Sequence, residues 1–190
     1  MRLPPHGQIV GRNCVIELAW SVNRSGLVHP NDAAAYKAFG QWIKAQYGPP
    51  PRFNGAHAGA VYNQTIFGNK TAAGGPHSAA EATLVAQLQS KATSIDRAMI
   101  MEDQRFGQRI RAYTLEAQLS SGGTWVQVAS GHSVGNKRID IFERGTVVAD
   151  ALRLTVVANQ ASPVFISFMG GFTPLEPPPA PSASTKTKQN

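Results

Sequence analysis

The 190-residue chain holds a single cysteine, Cys14, so it can form no internal disulfide and no cysteine-built metal site. Its five histidines, His6, His29, His57, His77 and His132, never fall at a His-x-x-x-His or related ligand spacing, and no metal is expected. Long apolar runs are missing too. Nothing approaches the roughly 20 apolar residues of a membrane span, and Met1 to Gly7 lacks the apolar core of a signal peptide. No membrane partner is expected, and the compartment stays open. Acid is scarce: 11 Asp and Glu stand against 18 Lys and Arg, a net charge of +7 with a pI near 9.9. The cations scatter, as Arg105, Arg109 and Arg111, as the pair Lys137 and Arg138, and as Lys186 and Lys188 near the C-terminus. No basic run alternates with aromatics, so the charge reads as a solvated surface and not as a nucleic-acid footprint.

What is present is a globular composition, 42% apolar and 15% charged. Asn13 to Trp20 is short and apolar, as a buried parallel strand would be, although Glu17 in such a strand would cost several kcal/mol (about) unless paired or exposed. From Asn31 and Asp32, either of which can cap, the pattern turns helical to Tyr47, with Tyr36, Phe39, Ile43 and Tyr47 on one stripe that needs a partner surface. Gly48 and Pro49-Pro50-Pro51 stop it and open a linker to Gly55.

Short runs of period-2 alternation follow. Ala82 to Leu88, Ala98 to Met101, Ile110 to Leu119, Trp125 to Ala129, Lys137 to Ile141, Val148 to Val157 and Val164 to Phe168 are the expected strands. Tyr113, Leu115, Ala117 and Leu119 share one face of the third, with Thr114, Glu116 and Gln118 on the other; Leu152, Leu154 and Val156 alternate with Arg153, Thr155 and Val157 in the sixth. One buried and one wet face is the pattern of antiparallel sheets packed in a sandwich. Ser120-Ser121-Gly122-Gly123 is a hairpin turn by composition. Pro174 to Asn190, rich in Pro, Ser, Thr and Lys, reads as a disordered tail.

Two sets of motifs resemble a known family. Glu102-Asp103-Gln104-Arg105-Phe106-Gly107-Gln108-Arg109-Ile110, then Trp125, then Gly131-His132-Ser133-Val134-Gly135-Asn136-Lys137-Arg138-Ile139 resemble, in order and spacing, the C-terminal domain of plant-type α-L-fucosidases of glycoside hydrolase family 29. Val10 to Ile16 and Ser25 to Val28 resemble the last barrel strand of those enzymes and the loop after it. The resemblance implies a mainly β fold: an antiparallel jelly-roll β-sandwich, discoidin-like or galactose-binding-like, preceded by a single β/α unit left from a (β/α)8 barrel. Residues 1–48 would be the last strand and helix of the incomplete barrel, 49–55 a linker, 56–173 the sandwich and 174–190 the tail. Glu17, Ala19 and Val22 depart from the family, which usually shows Leu, Asn and Pro there.

The intact family enzyme removes terminal α-linked L-fucose from glycoconjugates, without a cofactor, using carboxylates on earlier barrel strands. A whole barrel needs about 250 residues, so this chain is expected to lack that machinery and to be a C-terminal fragment. The alternative is a stand-alone carbohydrate-binding or interaction module, favoured if Asn13 to Trp20 no longer packs as barrel. A fucosylated glycan and a missing barrel portion are the implied partners.

Retaining glycosidases need two carboxyl groups about 5 to 5.5 Å apart. Glu102 and Asp103 are sequence neighbours whose side chains would leave a strand on opposite faces, and Glu102 is expected to pair with Arg109 or Arg138. Gln108, Arg109, Lys137 and Arg138 supply planar or cationic donors and Trp125 a ring, a combination suited to sugar hydroxyls; the plainer reading puts Trp125 in the core and the cations in scaffold ion pairs. Gly131 to Gly135 precedes a strand, which excludes a nucleophile elbow. Asn23-Arg24-Ser25, Asn63-Gln64-Thr65 and Asn69-Lys70-Thr71 are glycosylation sequons.

Overall fold

The computed structural model describes residues 11–15, 17, 19, 22–47, 57–66, 69–70, 80–158 and 163–174. Among these residues an α-helix, α1 (Pro30–Tyr47), precedes ten strands: β1 (His57–Ile66), β2 (Asn69–Lys70), β3 (Ala80–Gln87), β4 (Thr93–Ile95), β5 (Arg97–Glu102), β6 (Ile110–Leu119), β7 (Trp125–Gly131), β8 (Arg138–Ile141), β9 (Val147–Ala158) and β10 (Val164–Phe172). The expected linker and C-terminal tail lie outside the described residues, Pro174 apart. Every strand pair among the described residues is antiparallel. One sheet runs β1-β10-β5-β8; the other runs β2-β3-β9-β6-β7, with β4 beside β9.

The alternation read in the sequence places the core. Leu115 and Ala117 of β6 and Leu152, Leu154 and Val156 of β9 are fully buried, and they share one cluster with Ala98 and Ile100 of β5 and Val164, Ile166 and Met169 of β10. Both sheets thus contribute one face to a common interior, as hydrophobic burial at roughly 25 cal/mol per Å² favours. Strands β1, β2 and β4 were not among the expected runs: β4 is only three residues long, and β1, HAGAVYNQTI, has weak alternation.

The outer face of the first sheet receives α1. Tyr47 is buried and Ile43 packs beside it against Met99, Ile139, Phe168 and Phe172, so the partner of the helix stripe is the β-domain itself. Cover by the described strands lies at the C-terminal end of the stripe, while Tyr36 at its other end is 58% exposed. The helix starts two residues before the expected Asp32. Pro30, with no N–H to leave unpaired, occupies the first turn, and His29 caps it, its carbonyl accepting from the Asp32 and Ala33 amides and its Nδ1 from the Asn31 amide.

A register shift between Ile166 and Phe168 decides which face of β10 meets the helix. In strict alternation Phe168 and Phe172 would point inward with Ile166; the bulge reverses the phase, so that both rings join the outer cluster and Met169 turns in. Gly170 lies where a Cβ would stand 2.8 Å from Ala60 Cβ and 2.9 Å from the Gly59 carbonyl, so close pairing with β1 demands glycine there.

The expected strand from Asn13 to Trp20 is not formed among the described residues. Cys14 and Glu17 are exposed and Val15 is 90% exposed. The chain instead skirts the edge of β8, where Gly11 accepts from the Ile139 amide and Arg12 bridges Arg138. Neighbouring barrel strands are needed to bury a parallel strand on both faces, and Glu17 opposes such burial unless it is paired.

Candidate functional site

The five residues singled out for sugar contact lie at three separate places. Trp125 opens β7 opposite Gln118, on the wet face of the second sheet, half-buried beneath the guanidinium of Arg153 at 4.3 Å. Arg153 is in turn held bidentately by Glu116 at 2.7 and 2.9 Å. Trp125 is therefore neither a core residue nor a neighbour of Arg109, which immediately precedes β6, roughly 30 Å of extended strand away from the end that pairs with Trp125.

Lys137 and Arg138 meet at the β8 edge. The Lys137 amide donates to Asn13 Oδ1 at 2.7 Å, and burial pushes its ammonium pKa down. Arg138 is taken by Asp140, at 2.8 Å, and lies over the Tyr113 ring; the Tyr113 hydroxyl donates to Asp140. Burial first, and the Asp140 charge second, raise the Tyr113 pKa. The ring of Tyr113 occupies the space where a Cβ on Gly131 would stand, 2.7 Å from Cε1. Gly135 adopts φ +67° against the Asn13 side chain. The Gly131 to Gly135 motif is thus a packing device joining a strand to a loop.

Gln108 and Arg109 belong to the third place, the loop from Asp103 to Arg109 between β5 and β6. Gln108 is exposed. Arg109 is directed back into the scaffold: its Nε donates to the Phe106 carbonyl at 3.0 Å, its Nη1 to the Pro163 carbonyl at 2.7 Å, and its guanidinium covers the Phe165 ring. The ion pair expected between Glu102 and Arg109 or Arg138 is replaced by a backbone tie. Glu102 Oε1 accepts from the Arg109 amide at 2.6 Å and the Ile110 amide at 3.2 Å, while Oε2 has no hydrogen-bond partner among the described residues. Burial drives the Glu102 pKa up, against the opposing pull of the Arg109, Ile110 and Gly135 amides and of Arg111. Asp103 faces elsewhere, capping the 3-10 turn Gln104–Phe106 through the Arg105 amide and binding the Arg105 guanidinium at 2.6 Å. Arg105 accordingly holds the Asp103 carboxyl below the usual range. Each carboxylate has its own structural task.

This loop walls an open cleft of about 260 Å³ lined by Gln64, Asp103, Arg105, Phe106, Phe165, Ile166 and Ser167. Sequence reasoning missed Phe106 and Phe165, which stack at a centroid distance of 4.0 Å, because they are 59 positions apart and only the antiparallel return of β10 joins them. Among the described residues no group of three or more His, Cys, Asp and Glu side chains could hold a metal ion, and no helix is long and apolar enough to cross a membrane.

No protein-family model matches the chain. It is 30% identical over 175 residues to α-L-fucosidase 1 of Arabidopsis thaliana, a match covering 85% of this chain and 33% of that protein. Among solved structures, a glycoside hydrolase 29 family member from an unknown rumen bacterium aligns at a TM-score of 0.60 and 29% identity, over 94% of this chain and 28% of the other. A Ruminococcus gnavus family 29 fucosidase in complex with fucose aligns at a TM-score of 0.71 and 22% identity, over 90% and 36%. The chain spans about a third of the length of these relatives.

Proposed function

We propose that this chain, a homologue of the α-L-fucosidases of glycoside hydrolase family 29, is the C-terminal portion of such an enzyme, a galactose-binding-like β-sandwich that supports a catalytic barrel and does no chemistry itself. In this reading the whole protein hydrolyses terminal α-L-fucose on glycoconjugates, α1 is the last barrel helix, and the sandwich spans the ten strands. The observation that carries it is the reach of the similarity: the match takes in 85% of this chain yet only 33% of the plant relative.

The geometry agrees. Glu102 is 3% exposed and committed to two backbone amides, and Asp103 is committed to Arg105, so neither is free to act as nucleophile or as acid/base. In this reading the barrel meets the N-terminal half of α1, where Phe39 and Trp42 stack at 6.1 Å and Tyr36 is 58% exposed. A second reading, a binding or interaction module without a catalytic half, is favoured by the exposure of Val15 and Glu17.

The purified chain is expected to release no chromophore from a chromogenic α-L-fucoside above the rate without protein. Release would overturn the non-catalytic assignment, and its loss in Glu102→Gln or Asp103→Asn would move catalysis to those carboxylates.

A further inference from the structure

We propose that Asn23 is the acceptor of an N-linked oligosaccharide, attached through Nδ2 at the tip of the turn that precedes α1. Asn23-Arg24-Ser25 is one of three sequons in the chain, and the fold sets it apart from the other two. Asn63 and Asn69 stand in the paired strands β1 and β2, whereas Asn23 stands in a turn closed by a bridge between Val22 and Val28. The Asn23 amide donates to the Leu27 carbonyl and the Gly26 amide to the Asn23 carbonyl, and Gly26 takes φ +75° to complete the turn.

The Asn23 side chain uses its two polar atoms unequally. Oδ1 accepts from the Ser25 amide at 2.9 Å and from the Leu27 amide at 3.0 Å, an Asx turn that fixes the carboxamide to its own loop. Among the described residues Nδ2 donates to nothing, and Ser25 Oγ is equally without a partner. The space around them is open: residues 22–30 are all exposed, Val22 and Leu27 by 62% and 64%, and a Cβ on Gly26 would meet nothing within 4 Å. An N-linked oligosaccharide is bulky and must stay outside the fold; at this tip it displaces no packed side chain.

The chemistry asks for a carboxamide nitrogen free to attack, a hydroxyl two residues on, and a residue between them other than proline, here Arg24. The co-substrate is an oligosaccharide carried on a lipid diphosphate, delivered by a transferase of the secretory pathway. Nδ2 forms a bond to C1 of the first sugar. The bond from C1 to the diphosphate oxygen breaks, its electron pair leaves with the lipid diphosphate, and one Nδ2 proton passes to a base of the transferase; nothing is oxidised or reduced. Oδ1 is untouched, so the modified Asn23 still accepts the Ser25 and Leu27 amides and the turn outlasts its own modification. The inference places the protein on the secretory route and is independent of where catalysis resides, so the fucoside assay and the tests below can fail separately.

Protein isolated from its own organism tests the site directly. After release with peptide N-glycosidase F in heavy-oxygen water, the tryptic peptide from Asn13 to Arg24 should carry a heavy-oxygen aspartate in place of Asn23; Asn23 found unmodified would overturn the proposal. The full chain, led into the secretory pathway of a eukaryotic host, separates the requirements. With Asn63→Gln and Asn69→Gln both in place it should keep one glycan that the glycosidase removes. Adding Asn23→Gln or Ser25→Ala should abolish that glycan, and Ser25→Thr should retain it. Ser25→Ala leaves both amides on Asn23 Oδ1, so its loss of the glycan reports the hydroxyl and not a broken turn. No glycan on the double variant, or a glycan that survives Ser25→Ala, would equally overturn the proposal.

Discussion

The first residue of β5 is a guanidinium 1% exposed and the last a carboxylate 3% exposed, and the fold treats them differently. Arg97 points outward under α1. It meets Asp96 at 2.6 Å, the Thr173 carbonyl, and both the Gln46 carbonyl and side-chain oxygen at 3.1 Å, and it lies over the Tyr47 and Phe172 rings at 5.1 and 5.4 Å. Glu102, five positions on, points to the inner face and meets no cation: two backbone amides hold one oxygen and nothing among the described residues holds the other. The contrast shows how a buried charge can be used. Matched by an opposite charge, carbonyls and ring faces, it rivets two elements together; held through backbone amides in a buried place, it keeps a pKa that burial raises against the pull of those amides and of Arg111, and leaves the loop it holds sensitive to its protonation state.

The comparison breaks most decisively at the helix junction. Arg97→Met should destabilise by about 3–5 kcal/mol, the usual cost of removing one partner of a buried pair, and should loosen the end of α1, read as a lower urea midpoint together with hydrogen exchange at Gln46 and Tyr47. A change below 1 kcal/mol (about) would mean that the pair is no rivet.

At the other end, Glu102→Ala should cost about 1–3 kcal/mol, since it strands the Arg109 and Ile110 amides. Glu102→Gln keeps an acceptor and sharpens the point through pH. A carboxyl whose folded pKa is raised above the ordinary 4.5 contributes stability that is full below that value and lost as pH rises through the folded one. The wild-type midpoint should therefore fall, relative to Glu102→Gln, as pH rises from below 4.5 toward neutrality; parallel curves would contradict the assignment. The smallest effect is expected at Arg105→Ala, because that guanidinium is solvent-facing despite bonding both Asp103 oxygens. Its unfolding midpoint should not move measurably, which would separate bond count from burial as the source of the larger losses.

Much of the strand layout was readable in the sequence. The third and sixth expected runs become β6 and β9 with their buried faces as anticipated, because apolar residues at period 2 have only one way to share an interior. The helix stripe was legible as well. The strand expected at Asn13 to Trp20 was not, since its apolar composition describes a strand only where neighbours exist to bury it. The residues expected to contact sugar come from motif adjacency and lie at three places, because the length of β6 separates Arg109, just before its start, from Trp125, which pairs with its far end. Glu102 was expected to find a cation and found amides, a choice that depends on a loop path without periodicity.

By itself the sequence determined the mainly β character, the inward and outward sides of the long strands, the helix and the resemblance to family 29, since each rests on local spacing or on an ordered run of residues. The tertiary structure alone decided the bulge that turns Phe168 and Phe172 toward α1, the riveting of that helix by Arg97, and the cleft where Phe106 meets Phe165. Those features join residues far apart in the chain, and their geometry exists only once antiparallel pairing has fixed the register of β10 against β5 and β1.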